Sequence, residues 1–419
     1  MSASRPADAA APIDALVAPA RLRPTRARPN FAPAALAALF FAMLALPLVA
    51  GLRGWHLVDT PDERRVLAKV PHWPRSFADL LALPGRLSAL ADDRFGFRNE
   101  LVLLDGRLRY RLFSEVDSDQ VMFGLHGRLL LISHVRGKPF GLTDEICGVG
   151  VDRAQITDAA QTMARVLDGT AALVPRSLFV AIPTAPVLYR EDLPRWLAAR
   201  CRTGTPTAPA LRAALAAARP DLGVRMAYPL DAMLAVKRRG VAIAPGSFHW
   251  SGEAAKAVVE SIGASLSLPQ RRDIPARPAA APADLSNFVP GLVLRDPANI
   301  PDLAAAGVVA CHSLSCLPEL APLGDALREV GRYRWTAGEG KKLLLVSDSF
   351  GALAAEWFGE YFADVLHVNI EYSRLDPARR ALLREALFAR FRPDVLVMLF
   401  HDGGARDVSG RLGVALLQP

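Results

Sequence analysis

The chain has 419 residues, 51% of them hydrophobic, and its 50 Lys and Arg against 42 Asp and Glu give a formal charge of +8. The length allows two or three units, and a mean hydropathy of +0.20 is high for a purely soluble chain and points to a membrane segment. The basic excess is not gathered into a stripe interleaved with aromatics, which argues against nucleic-acid binding; none of the four cysteines forms a Cys-x-x-Cys pair, which argues against a zinc or thioredoxin-type site.

In chain order, residues 1–30 are rich in Ala, Pro and Arg and read as a disordered arm. Residues 31–51 then run without a charge, long enough to cross a bilayer as a helix. Arginines crowd the segment just before it (Arg21, Arg23, Arg26 and Arg28), which puts the N-terminus in the cytoplasm. An uncleaved signal anchor over 31–53 is expected, with a cleaved signal peptide as the alternative. Either way the rest of the chain is exported, in a bacterium to the periplasm. Residues 54–115 read as a helical lead-in. Arg94 and Arg98 lie four apart and fit one helix face, where a salt-bridged structural turn is the plain reading.

Residues 121–132 read as two short strands about the turn Gly124-Leu125-His126-Gly127, and residues 152–167 as an amphipathic helix. Residues 177–182 form a buried strand ending in Pro183 and Thr184, and a shorter strand is expected over 224–228. His249 and Trp250 stand in a polar turn ahead of a helix. Residues 271–283 read as a surface excursion. Buried strands are expected over 343–346, 364–370 and 394–400, each followed by a helix or turn. This alternation predicts an α/β fold, a mainly parallel sheet covered by helices on both faces.

The four cysteines suit two disulfides in an oxidising compartment, Cys311 with Cys316 and Cys147 with Cys201; four free thiols are the alternative. No metal-type histidine spacing and no phosphate-binding glycine loop is found, so neither a metal nor a cofactor is expected.

The candidate chemistry centres on Ser347-Asp348-Ser349-Phe350-Gly351. A serine at a strand-to-helix turn sits at the carboxyl edge of a parallel sheet, beside helix amides that can stabilise an anion. Ser349 is thus a candidate nucleophile, or else a plain helix N-cap. Acyl transfer also needs a base, an orienting group and oxyanion donors. His249 is the better placed base and His401 the second. The amides of Ser349 and Phe350 are the expected donors, and Asp348 is expected to brace the turn.

Taken together, Asp93-Arg94-Phe95-Gly96-Phe97-Arg98, Phe248-His249-Trp250, Ala283-Asp284-Leu285 and Ser347-Asp348-Ser349-Phe350 resemble the AlgJ/AlgX-like exopolysaccharide O-acetyltransferases. The resemblance implies an SGNH-hydrolase-like fold for residues 116–419. It matches Ser349 and Asp348 to the family's Gly-Asp-Ser-Phe block, with Ser347 where glycine is usual. It matches His249 and Trp250 to the Asp-x-His-Trp block, with Ser247 where the aspartate is usual. Ser247 is therefore carried as the residue next to the base, and Asp402, after the last strand, as another acid that could take the aspartate's place. The resemblance further implies a protein of the bacterial inner membrane with its main domain in the periplasm. Acetyl groups would come from a multi-spanning membrane acyltransferase and pass through an acetyl-serine to hydroxyls of a polysaccharide. A degenerate scaffold or glycan-binding subunit is the alternative, favoured by Ser247 and Ser347, and a periplasmic esterase is a third reading.

Overall fold

A computed structural model describes residues 32–53, 55, 68–336 and 339–418. The expected arm over 1–30 lies outside the described residues. The chain divides into two units, residues 1–57 with 67–98, and residues 58–66 with 99–419.

In the first unit, the helix Ala32–Arg53 contains the segment Pro33–Gly51, of mean hydropathy 2.3, long and apolar enough to cross a membrane. A second helix, Phe77–Arg94, is capped by Ser76, whose hydroxyl oxygen accepts the Asp79 amide at 3.1 Å.

Among its described residues the second unit holds eleven strands: β1 (Val121–Phe123), β2 (Leu129–Leu131), β3 (Ser177–Ile182), β4 (Met226–Ala227), β5 (Ala276–Pro282), β6 (Arg295–Pro301), β7 (Val308–Cys311), β8 (Leu327–Trp335), β9 (Lys342–Ser347), β10 (Asp364–Ile370) and β11 (Val395–His401). Seven of them form one sheet in the order β4-β3-β11-β9-β10-β8-β7. The five from β4 to β10 run parallel, and β8 and β7 add an antiparallel edge.

The runs of consecutive apolar residues in β3, β9 and β11 follow from this topology. Successive side chains of a strand point to opposite faces, and both faces are covered. Leu343 and Leu345 join Val395, Val397 and Leu399 in one core, while Leu344 and Val346 join Leu396 and Met398 in the other. Helices Leu230–Arg239, Gly252–Ser265 and Phe350–Trp357 supply apolar residues to the first core. Arg153–Leu173, Thr207–Ala218, Pro377–Arg384 and Ala405–Leu417 supply the second.

The expected strands over 177–182, 343–346 and 364–370 are present, and that over 224–228 is reduced to the two residues of β4. Residues 271–283 are not a simple excursion: β5 pairs with β6 over seven residue pairs as an antiparallel hairpin. Cys147 and Cys201 are disulfide-bonded. Cys311 is also disulfide-bonded, and the side chain of Cys316 lies outside the described residues.

Candidate active site

The parallel strands β9, β11 and β3 all end at one edge of the sheet, where α/β folds place their ligands. β9 ends at Ser347, and the helix Phe350–Trp357 starts three residues later. Asp348 fixes the turn between them. Its carboxylate accepts the Phe350 amide at 3.0 Å and the His401 amide, at the end of β11, at 2.8 Å. It therefore ties two neighbouring strands and caps the helix. Burial pushes its pKa up to about 6, although the His401 and Phe350 amides and the charge of His249 work against that rise.

Ser349 occupies the N-cap position of the helix Phe350–Trp357 without capping it through its side chain. Its hydroxyl makes no cap hydrogen bond and lies 2.7 Å from Nε2 of His249.

His249 comes from the irregular segment between the helices Leu230–Arg239 and Gly252–Ser265, and that segment is tightly held. Ile243 bridges to Trp250, and the Ser251 amide bonds the Ala242 carbonyl. Buried Arg128 donates to the carbonyls of Ile243 and Ala244 and to Asp192. The Tyr189 hydroxyl accepts the amides of Ala242 and Ile243. Ser251 then caps the helix Gly252–Ser265. The imidazole is thus delivered from a rigid frame rather than a free loop.

Behind the imidazole stands Asp284. Its carboxylate accepts the Phe248 amide at 2.7 Å and the His249 amide at 3.2 Å, and it bonds Nδ1 of the His249 ring. Asp284 opens the short helical turn Asp284–Phe288, carried between the strands of the β5–β6 hairpin. With Nδ1–H donated to Asp284, Nε2 is left to accept the Ser349 proton, the arrangement a serine nucleophile needs.

The electrostatics agree. Burial pulls the His249 pKa down, but the hydrogen bond to Asp284 and its charge outweigh that pull and hold it above the usual 6.5. Burial pushes Asp284 up, and its bonds to His249 and to two amides bring it below the ordinary carboxylate value. The side chains of His249 and Asp284 keep 27% and 30% of their surface open, so the pair is reachable from solvent.

Two expectations about the acid are corrected here. Ser247 does not face the imidazole: its hydroxyl donates to Asp296 at 2.7 Å. Asp402 is sealed at the ends of β11 and β3, accepting the Thr184 hydroxyl at 2.6 Å, the Thr184 amide and the Tyr228 hydroxyl. The carboxylate at the imidazole is that of Asp284. The sequence displayed Ala283-Asp284-Leu285, but nothing local ties Asp284 to a histidine 35 positions earlier. That link exists only through the hairpin.

A third correction concerns the oxyanion donors. The Phe350 amide is engaged by Asp348. No hydrogen bond from the Ser349 amide is found among the described residues, so of the two expected donors it is the one free to meet an oxyanion.

His401 and His134 complete one wall, with ring centroids 5.2 Å apart and Phe248 near both. Burial holds His134 down to about 4 and His401 to about 3, so both are neutral near pH 7. Among the described residues neither is hydrogen-bonded to Ser349; the ring that meets its hydroxyl is that of His249. Among the described residues no cluster of His, Cys, Asp and Glu is disposed to hold a metal ion.

No family model matches the sequence, and no curated protein matches it. Several solved structures are similar in fold. A DHHW family protein from Eubacterium siraeum DSM 15702 shares 12% identity, over 73% of this chain and 98% of that one, with a TM-score of 0.48. The O-acetyltransferase domain of Pseudomonas putida AlgJ shares 18% identity over 68% and 92%, with a TM-score of 0.42. Pseudomonas aeruginosa AlgX shares 12% over 68% and 67%, with a TM-score of 0.40. The solved structures similar to this chain thus include members of the group that its motifs resemble.

Proposed function

We propose that this protein is a membrane-anchored periplasmic O-acetyltransferase that modifies a secreted polysaccharide through an acetyl-serine at Ser349. The observation that carries the reading is the alignment of the Ser349 hydroxyl, the His249 imidazole and the Asp284 carboxylate at a solvent-reachable edge of the sheet.

Ser349 Oγ attacks the acetyl carbonyl while its proton passes to His249 Nε2. Asp284 steadies the imidazolium, which then protonates the leaving group as the acetyl ester of Ser349 forms. A sugar hydroxyl repeats the sequence in reverse: its proton goes to His249, its oxygen attacks the ester carbonyl, and Ser349 recovers its hydrogen.

Asp284 supplies the carboxylate whose absence at position 247 favoured a non-catalytic scaffold. The apolar segment Pro33–Gly51 supports the anchor, and the Cys147–Cys201 disulfide supports an oxidising compartment. The motif resemblance supplies acetyl as the acyl group, a polysaccharide as acceptor and a multi-spanning membrane acyltransferase as the donor's source.

The test is turnover of an activated acetyl ester by the full-length protein, with and without an acceptor oligosaccharide. Ping-pong kinetics and an acetylated sugar product are expected. Release of acetate alone, whatever the acceptor, would make the protein an esterase. A folded protein with no turnover would make it a scaffold.

A further inference from the structure

The helix Phe77–Arg94 has no buried residue, although it belongs to the same unit as the apolar helix before it. Its exposed apolar side chains are not scattered. Phe77, Leu80, Leu81, Pro84 and Leu87 recur at spacings of three and four, which gathers them on one face. Asp79 and Arg86 lie on the opposite face and pair with each other at 3.3 Å. Just before the helix, Trp73 is 87% exposed and Val70 63%, and Phe77 at its start is 74% exposed. A contiguous apolar stripe of this kind on an exported protein needs a covering partner.

The way this helix is fastened identifies the cover. At Gly51 and Gly96 the two chain segments meet backbone to backbone. The Gly96 amide donates to the Pro47 carbonyl at 3.1 Å, and a Cβ on Gly51 or on Gly96 would run into the other segment's main chain. The C-terminal end of Phe77–Arg94 is thereby pinned to the end of the apolar helix that leaves the bilayer. Trp55, half exposed, stands at the same end. Indoles at the ends of a spanning helix, followed by an amphipathic helix, are the arrangement found at a lipid headgroup boundary.

We infer that Phe77–Arg94 lies in the outer surface of the bilayer that holds Pro33–Gly51, with Phe77, Leu80, Leu81 and Leu87 immersed in lipid. The inference rests on the anchor reading and is independent of the acyl chemistry. It gives the helix a mechanical role, fixing where the chain leaves the membrane.

The test uses the full-length protein in nanodiscs of phosphatidylethanolamine and phosphatidylglycerol, with no other protein. An environment-sensitive fluorophore is placed on Leu81→Cys, and as control on Ala82→Cys, which faces away from the stripe. The label at 81 is expected to emit in the blue and to be quenched several-fold more by lipids brominated on their acyl chains than the label at 82. Protein that elutes apart from the discs would remove the anchor reading, and this inference with it. Protein that stays with the discs while both labels remain in water would overturn this inference alone. So would shielding of the label at 81 that appears only when membrane proteins are added back, since the stripe would then belong to a protein partner.

Discussion

Two Ser–His pairs stand back to back at the end of β9. Ser349 meets His249 at 2.7 Å, and Ser347, two residues earlier, meets His367 at the same distance. Hydrogen-bond length alone would not separate them. What separates them is access and the group behind the ring. His249 is partly open and has Asp284 on its other nitrogen. Ser347 and His367 are only 1% and 2% exposed. The Ser347 hydroxyl also reaches the Asp348 carbonyl, and no carboxylate bonds the His367 ring among the described residues. Burial, reinforced by His312, holds His367 down to about 3, so it stays neutral and takes no proton at pH 7. Residues two apart on a strand share a face, so the strand alone does not part them: Ser347 is the last residue of β9, while Ser349 lies beyond it, at the N-terminus of the helix Phe350–Trp357.

The comparison can be broken at several points. The largest effect is expected from Ser349→Ala, which should cut transfer by roughly 10⁶-fold, by analogy with removal of the nucleophile in a serine protease. Ser347→Ala, assayed beside it, should leave turnover within a few-fold. If instead the two variants lost activity equally, the distinction between the pairs would fail.

Asp284→Asn should cost about 10⁴-fold in kcat, since an amide fails to hold the productive tautomer. It should also move the pH profile. Asp284 holds His249 above 6.5, and a general base works only when unprotonated. Wild-type activity should therefore rise with pH through a transition above 6.5, and in the variant that transition should fall to lower pH. A profile that stays in place would remove Asp284 from the relay.

His367→Asn should act on stability rather than chemistry. Losing a buried ring and its bond to Ser347 should cost about 2–4 kcal/mol in denaturant unfolding, with kcat per folded molecule unchanged. The sign of its pH dependence follows from a folded pKa below the unfolded 6.5. The histidine's contribution is whole above 6.5 and is lost as pH falls toward about 3. The gap between wild type and variant should therefore narrow in acid. The smallest effect is expected from Ser247→Ala. Its hydroxyl serves Asp296 and not the base, so kcat should change by less than about threefold and stability by about 1 kcal/mol.

The parts of the molecule that were legible in the sequence are those built from continuous segments. The buried runs of β3, β9, β10 and β11 announced a parallel sheet, and Asp348-Ser349-Phe350 announced a strand-to-helix turn. His249 could be singled out because a polar turn precedes its helix. A local block would put the acid two residues before the histidine, at position 247, which here holds a serine bonded to Asp296. The real partner arrives on a hairpin whose strands, rich in Ala and Pro, carry no alternating pattern to mark them. Arg128 and Asp192 were silent for the same reason. They meet across 64 residues to clamp the His249 segment, and neither lies in a motif. The Ser347–His367 pair was hidden by distance as well. Its only trace is Gly351, where a Cβ would collide with the Ser347 hydroxyl, so the departure from glycine at 347 is matched by a glycine four residues on.

The most direct test is a rapid-quench reaction of the full-length protein with p-nitrophenyl acetate, followed by peptide mass spectrometry. A burst of one nitrophenolate per protein is expected, with the acetyl group on the peptide carrying Ser349 and absent from the Ser349→Ala protein. A burst that persists in Ser349→Ala, or an acetyl group found on any other residue, would contradict the proposed nucleophile.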